Sequence, residues 1–343
     1  MRAVVIRRAG GYEQLRVERR PSPRPARGEV VVRAEAIGVN YADCVVRMGL
    51  YASAKKYVGW PITPGFELAG EVVAVGDEVT DLKPGDRVMA LTRFGGYATE
   101  VVVPRAQVFP FPRGFTAREA AAFPTVALTA WYALFELARP REGDRVLVHS
   151  AAGGVGSSLV QLARLAGAEV TGVVGASHKV ALARSMGAAH VIDRAREDVW
   201  ARAESIAPQG YAIILDANGA DSLRASWAHL GAPGRLVVYG FHTMLPKTGG
   251  RPSWPRLAWS WLRTPRFSPL DMTGQNRSVM GFNLSYLFER HDVLARAMGE
   301  LLAHVAAGRL VSPPVEAIAF DEVADAHRRL ESGATVGKLV LTV

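Results

Sequence analysis

The chain has 343 residues, one cysteine, 49% hydrophobic residues and a formal charge of +9. That length fits roughly two domains, the apolar content excludes a disordered chain, and a lone cysteine excludes an internal disulfide and a cysteine-built zinc cluster. No uncharged apolar run reaches the ~18 residues of a spanning helix, and the opening MRAVVIRRAGGYEQL lacks a signal-peptide core and cleavage site, so a cytoplasmic protein is expected.

Residues 2–7, 29–36, 68–75 and 87–91 are short Val/Ile/Leu runs separated by Gly, Pro and Asp turns, and 95–103 reads as a further strand. Residues 120–138 are alanine-rich and helical in pattern, with Pro124 interrupting them. A regular alternation then begins: strands at 145–149, 169–174, 190–192, 212–216 and 236–239, with helices at 156–165 and 179–186. Such alternation predicts an α/β fold with a doubly wound parallel sheet of Rossmann type. Residues 241–280 read as irregular, rich in Pro and Trp. Helices near 292–307 and 321–331 and a strand at 337–343 follow. Asp86 and Asp144 read as turn residues before the two Gly-Asp-Arg-Val strands, and no long repeat is present.

The strongest local signal is His149-Ser-Ala-Ala-Gly-Gly-Val-Gly-Ser-Ser158, between a strand and a helix. Gly153, Gly154, Val155 and Gly156 have the spacing of a dinucleotide-binding turn, with Ala151 in place of the first glycine. Glycine lets the backbone approach a pyrophosphate, and the helix start offers free N–H groups. About 20 residues on, an NAD site places an acid for the ribose hydroxyls. Here the segment reads Val-Gly-Ala-Ser-His-Lys, without a carboxylate. Ser177 and Lys179, with Arg194 after the next strand, suit a 2′-phosphate instead, so NADPH is the expected cofactor. Asn218-Gly219 and Tyr239-Gly240 follow strands at their carboxyl ends, where ligands bind in such sheets.

Gly65-Phe-Glu-Leu-Ala-Gly70 with Val73-Ala-Val-Gly76, Asn40-Tyr-Ala-Asp43, Arg47-Met-Gly-Leu-Tyr51, the Ala-Ala-Gly-Gly-Val-Gly turn and the closing Gly337-Lys-Leu-Val-Leu341 resemble the medium-chain dehydrogenase/reductase superfamily over nearly the whole chain. The pattern is most similar to its zinc-independent quinone oxidoreductases. Gly281-Phe-Asn-Leu284 after a long insertion resembles the VAT-1-like branch. The resemblance implies a β-rich GroES-like catalytic domain (1–122 and 270–343) and a Rossmann domain (123–269), with the active site in the cleft between them, and a homodimer. It implies that Asn40 and Tyr51 lie near the nicotinamide as catalytic residues, and that Thr129, Phe282, Asn283 and Leu284 line the cofactor. Lys338 is read either as reaching the cofactor or, the commoner case, as a strand-edge lysine. Where zinc-using relatives carry their catalytic Cys, His and a further Cys or acid, this chain has Asn40, Phe66 and, at roughly the place of the later Cys, Thr125, and Glu67 with Asp43 cannot supply the set. That donor set is not a zinc site, so no metal is expected, and Cys44 reads as a small buried residue.

Without a Lewis acid the acceptor must be electrophilic by itself. The expected reaction is hydride transfer from NADPH to a quinone or an α,β-unsaturated carbonyl. The 35 arginines and 6 lysines are scattered, which excludes a nucleic-acid groove. The insertion over 245–270 combines Trp with Arg and suits a lid, a dimer contact or a membrane surface. Its prolines favour the first two, since they make a continuous amphipathic helix improbable. The competing functional class is a membrane-associated or scaffolding protein that binds NADPH with little turnover.

Overall fold

The computed structural model describes residues 1–343 as two compact units, 1–128 with 247–251 and 284–343, and 129–246 with 252–283. In the first unit β1 (Arg2–Val5) pairs with β2 (Arg16–Arg19), and β3 (Glu29–Val39) leads through α1 (Tyr41–Arg47) and α2 (Ala52–Tyr57) to β4 (Glu67–Val75), β5 (Arg87–Leu91), β6 (Glu100–Pro104) and β7 (Val108–Pro110). Then come α3 (Ala117–Ala122) and α4 (Pro124–Trp131). Thr116 caps α3, accepting from the Glu119 amide at 3.3 Å, and Pro124 starts α4, where its missing N–H costs no helical bond.

The second unit alternates β8 (Arg145–His149), α5 (Gly154–Leu165), β9 (Glu169–Val174), α6 (Val180–Ser185), β10 (His190–Asp193), α7 (Val199–Ile206), β11 (Tyr211–Asp216), α8 (Leu223–Ala228) and β12 (Leu230–Val238), then α9 (Trp254–Arg263), α10 (Pro269–Gln275) and β13 (Arg277–Gly281). Its sheet runs β10-β9-β8-β11-β12-β13, every pair parallel. The continuous Val/Ile/Leu of β8 and β11 suits strands covered on both faces. The strand order reverses between β8 and β11, the switch point where open α/β sheets bind ligands.

The first unit closes with α11 (His291–Ala306), β14 (Val315–Ala319), α12 (Val323–Ser332) and β15 (Lys338–Thr342). Its main sheet has the order β14-β15-β3-β4-β5-β7, with β6 on β3. Val4, Ile6, Val30, Val32, Leu68 and Leu341 pack in its core, all fully buried.

Several expectations shift. The segment read as one strand over 95–103 is a regular strand only from Glu100 onward; before it, Ala98 makes an isolated antiparallel bridge with Ala3. The boundaries expected at 122/123 and 269/270 fall at 128/129 and 283/284. The second moves because β13 pairs in register with β12, Gly234 to Val238 against Arg277 to Gly281, and completes the parallel sheet. Lys338 is no edge residue, since β15 lies between β14 and β3. The insertion is not irregular: α9 is continuous, because Pro255 falls in its first turn, where proline is tolerated. Cys44 is buried as expected, and Asp86 and Asp144 accept turn bonds from the Lys83 and Arg141 amides at 2.8 and 2.9 Å.

Candidate functional site

In the second unit β8 ends at His149 and the chain turns through Ser150, whose φ of 56° is the left-handed region seldom adopted by a residue with a Cβ. Gly153 is the N-cap of α5, so the first amides of that helix have no intrahelical partner. Gly156 is obligatory here: a Cβ on it would stand 2.1 Å from the Ser150 carbonyl oxygen. Ala151 fits in place of the first glycine because the space comes from the neighbouring strand. A Cβ on Gly172 of β9 would approach that of Ala151 to 2.8 Å.

The loop after β11 is fastened to this turn. Ser150 Oγ donates to Asn218 Oδ1 at 3.2 Å. The buried Asp216 carboxylate accepts from the Asn218 and Gly219 amides at 2.7 and 3.0 Å, and from the Ser222 and Ser226 hydroxyls at 2.7 and 3.0 Å. Asn218-Gly219 is thereby fixed at the switch point. After β12, a Cβ on Gly240 would meet the Ala217 oxygen at 2.8 Å, and burial pushes the Tyr239 hydroxyl well above its ordinary pKa. His149 and His242 flank the same strand ends. Burial pulls both downward, His242 to about 4, so both are neutral at physiological pH.

At the far end of β9, Ser177 and Lys179 form a 3-10 turn. The Arg194 guanidinium lies against Gly175, where an added Cβ would come within 3.2 Å of Nη2. The glycine therefore leaves the cation its place beside the end of β9. A carboxylate is also present, which the sequence reading overlooked. Ser177 Oγ donates to Asp193 Oδ2 at 2.5 Å and the Ala195 amide to Oδ1 at 3.0 Å. The Ser177 bond, then the Ala195 bond, hold the Asp193 carboxyl below its usual range. Asp193 escapes a search along the chain because it reaches Ser177 only through parallel pairing, which sets it opposite Val174.

Thr129 lies on α4, a few residues before a π-helical turn, Tyr132–Ala138. The Tyr132 and Phe282 rings meet at 4.9 Å, and the Phe282 amide donates to Val238 at 3.3 Å. Phe282 and Asn283 close the second unit, whereas Leu284 opens the final segment of the first.

In the first unit Asn40, Glu67 and Lys338 converge. Lys338 Nζ donates to Asn40 Oδ1 and lies 2.7 Å from Glu67 Oε1. Asn40 Nδ2 donates to the same carboxylate at 2.8 Å, and the Thr125 amide donates to Glu67 Oε2 at 2.7 Å. Glu67 is 0% and Lys338 4% exposed, so this is a dry ion pair. Both polar ends of the Asn40 amide are thus engaged by the protein. Beside it, Phe66 packs edge-on against Tyr51 at 5.7 Å and tilted against Phe94 at 5.3 Å. Tyr51 is the N-cap of α2 and half-buried.

A second buried network was missed entirely. Arg47, with no exposed surface, lies 2.8 Å from Glu331 and 3.1 Å from His327 Nδ1, and donates to the Gly250 carbonyl at 2.8 Å. The Tyr12 hydroxyl donates to Glu331 Oε2 at 2.7 Å. Tyr97 Oη lies 3.3 Å from His327 Nε2 and donates to Asp43 at 3.1 Å, where the Asn40 and Gly65 amides also donate, each at 2.8 Å. Cys44, His327 and Glu331 bring ligand-type atoms within 4.8 Å of one another. They do not make a metal site: Arg47 already supplies the cation, and burial holds the Cys44 thiol protonated. The signal available in sequence was slight, His327 and Glu331 one turn apart on α12.

Two family models match the chain: an alcohol dehydrogenase GroES-like domain over 26–113 and a zinc-binding dehydrogenase over 186–341. The donors present do not fit the zinc of the second description. At the positions that the family resemblance gives to zinc ligands stand Asn40, Phe66 and Thr125, and the nearby Glu67 is already paired with the Lys338 ammonium group. The synaptic vesicle membrane protein VAT-1 homolog of Rattus norvegicus is 36% identical over 345 residues, 99% of this chain and 84% of the relative. The crystal structure of the human VAT-1 homolog-like protein superposes with a TM-score of 0.83 at 32% identity, covering 100% of this chain and 98% of that one. The Escherichia coli quinone oxidoreductase complexed with NADPH gives 0.84 at 27% identity with full coverage of both. No helix is long and apolar enough to cross a membrane. The chain belongs to the VAT-1 homologue branch of the medium-chain dehydrogenase/reductase superfamily.

Proposed function

We propose that this protein is an NADPH-dependent oxidoreductase that reduces a quinone or an α,β-unsaturated carbonyl without a metal. The observation that carries the cofactor reading is the second unit's cradle. Gly156 keeps the turn open to a pyrophosphate, and Gly175 admits the Arg194 guanidinium beside Ser177 and Lys179. The E. coli quinone oxidoreductase that this chain resembles was solved with NADPH. Bound there, NADPH supplies a hydride.

The protein's own residues do the rest. The first amides of α5 and Gly153 to Gly156 hold the pyrophosphate charge. Arg194, Lys179 and Ser177 hold the 2′-phosphate, and Asp193 orients the Ser177 hydroxyl while opposing part of the cationic field. Asn218, Tyr239 and Gly240 line the strand ends, and Phe282 with Tyr132 gives an apolar wall. Thr129 and Asn283 contribute polar edges, and Leu284 an apolar one. Asn40 is assigned a positioning role, since its amide is spent on Glu67 and Lys338. Tyr51 is assigned the contact with the acceptor oxygen, its ring fixed by Phe66 and Phe94. The cation beside Glu67 is an ammonium already neutralised, so the acceptor must delocalise charge by itself, as quinones and enones do.

The test measures NADPH and NADH affinities by titration, then NADPH oxidation with a panel of quinones, enones and alkenals. Preference for NADPH, lost in Arg194→Ala, with turnover of part of the panel is expected. Equal affinities would sink the cofactor assignment. Tight NADPH binding with no turnover anywhere would favour the scaffolding class.

A further inference from the structure

The end of β10 carries a carboxylate that the 2′-phosphate assignment does not need. Asp193 is 6% exposed, and both of its oxygens are engaged: Oδ1 accepts from the Ala195 amide at 3.0 Å and Oδ2 from the Ser177 hydroxyl at 2.5 Å. The second contact has the length of a charge-assisted bond to a carboxylate. A serine hydroxyl carries one proton. With that proton given to Asp193, the exposed Ser177 offers only lone pairs to a group beyond the end of β9.

The two groups that can occupy a ribose 2′ position meet this oxygen differently. A phosphate monoester accepts hydrogen bonds and carries about two negative charges. It gains a bond from Ser177 only if the hydroxyl leaves Asp193, and the freed carboxylate then stands near a second anion. A 2′-hydroxyl donates to the same oxygen with nothing displaced. The cations act the other way. Lys179 closes the 3-10 turn that Ser177 opens, and Arg194 follows Asp193 and lies against Gly175. β9 itself ends in Val174-Gly-Ala, without the acid that an NADH site places there. Parallel pairing supplies an acid from the next strand instead, with Asp193 opposite Val174. One strand end thus offers cations to a phosphate and a carboxylate-backed acceptor to a hydroxyl.

We propose that Asp193 sets the cofactor selectivity, acting through Ser177 to keep a place for the 2′-hydroxyl of NADH, so that the protein accepts both dinucleotides with NADPH only moderately ahead. That selectivity rests on the dinucleotide-binding reading of the second unit, and Asp193 is a positioning residue within it.

Fluorescence titration of the full chain with NADPH and with NADH, at one salt concentration, reads the selectivity and requires no acceptor. The wild type should favour NADPH by about tenfold. Asp193→Asn, which keeps the shape and removes the charge, should tighten NADPH by about tenfold and weaken NADH by about threefold. Damage to the fold would not produce such opposite shifts. Ser177→Ala removes the relay at an exposed position, so adding Asp193→Asn to it should leave NADH affinity unchanged. If neither dinucleotide binds the wild type, the reading of the glycine turn fails and the selectivity with it. Equal wild-type affinities sink the 2′-phosphate assignment and leave Asp193 nothing to restrain. If both bind unequally and Asp193→Asn leaves their ratio unchanged, or weakens both alike, the role of Asp193 alone is overturned. A wild-type preference for NADPH beyond about a thousandfold overturns it too, since the hydroxyl then has no place.

Discussion

Replacing Lys338 by methionine isolates the feature that most distinguishes this chain's first unit. The substitution keeps the stem's volume and deletes the ammonium that lies 2.7 Å from Glu67 Oε1. Glu67 then stays fully buried without its counter-charge, retaining two neutral donors, Asn40 Nδ2 at 2.8 Å and the Thr125 amide at 2.7 Å. Breaking a buried pair from one side costs about 3–5 kcal/mol. The two surviving donors place the expected loss near the lower end, about 3 kcal/mol, a factor of roughly a hundred in the folding equilibrium. Urea denaturation of wild type, Lys338→Met, Glu67→Gln and the double variant measures it. The double variant should recover most of the loss, because an amide at position 67 needs no cation. If Lys338→Met costs less than about 0.5 kcal/mol, or the double variant is no more stable than the single one, the pair is not the dry, mutually required contact described above.

Gly156→Ala should reduce NADPH affinity by at least about tenfold, because its Cβ would stand 2.1 Å from a backbone oxygen and the turn must open; titration by fluorescence checks this, and unchanged affinity refutes the cradle. Cys44 should react with a thiol reagent only on unfolding, since it is buried and its pKa is raised by desolvation; stoichiometric labelling of the native protein would contradict that. Stability should fall as pH drops below ~6.5. His149, His242 and His327 are held neutral by burial, with folded pKa values below the unfolded one, so the unfolded chain binds more protons there. Asp43 opposes them, because burial pushes its carboxyl up to about 7 and the folded state takes that proton first. The net linkage is roughly one to two protons, and urea midpoints at pH 7.5 and 5.5, both approximate choices bracketing the histidine range, test the sign. A higher midpoint at the acid end would contradict it.

Much of the fold was legible in the residues. Val/Ile/Leu-rich runs such as 145–149 and 212–216, alternating with helix-period segments, leave few options besides a parallel sheet covered on both faces. The glycine turn at 153–156 was legible because close backbone approach has a residue-level signature. The expectation of no zinc at Asn40, Phe66 and Thr125 rested on the family resemblance, which gives those positions to ligands that these side chains cannot replace.

What the linear text left undecided was every property created by distant segments meeting. Asp193 becomes Ser177's partner only because β9 and β10 pair in one register. Lys338 reaches Asn40 across 298 positions because β15 is inserted beside β3, which converts an expected edge lysine into the buried cation of the site. Arg47, His327 and Glu331 form one network for the same reason. The Trp-rich insertion shows the converse. Its residues are plain in sequence, but whether they face a core or water depends on which stripe of α9 the fold buries. Local propensity fixes elements over a few residues. Burial and charge pairing are properties of the folded neighbourhood, so tertiary structure alone decides them.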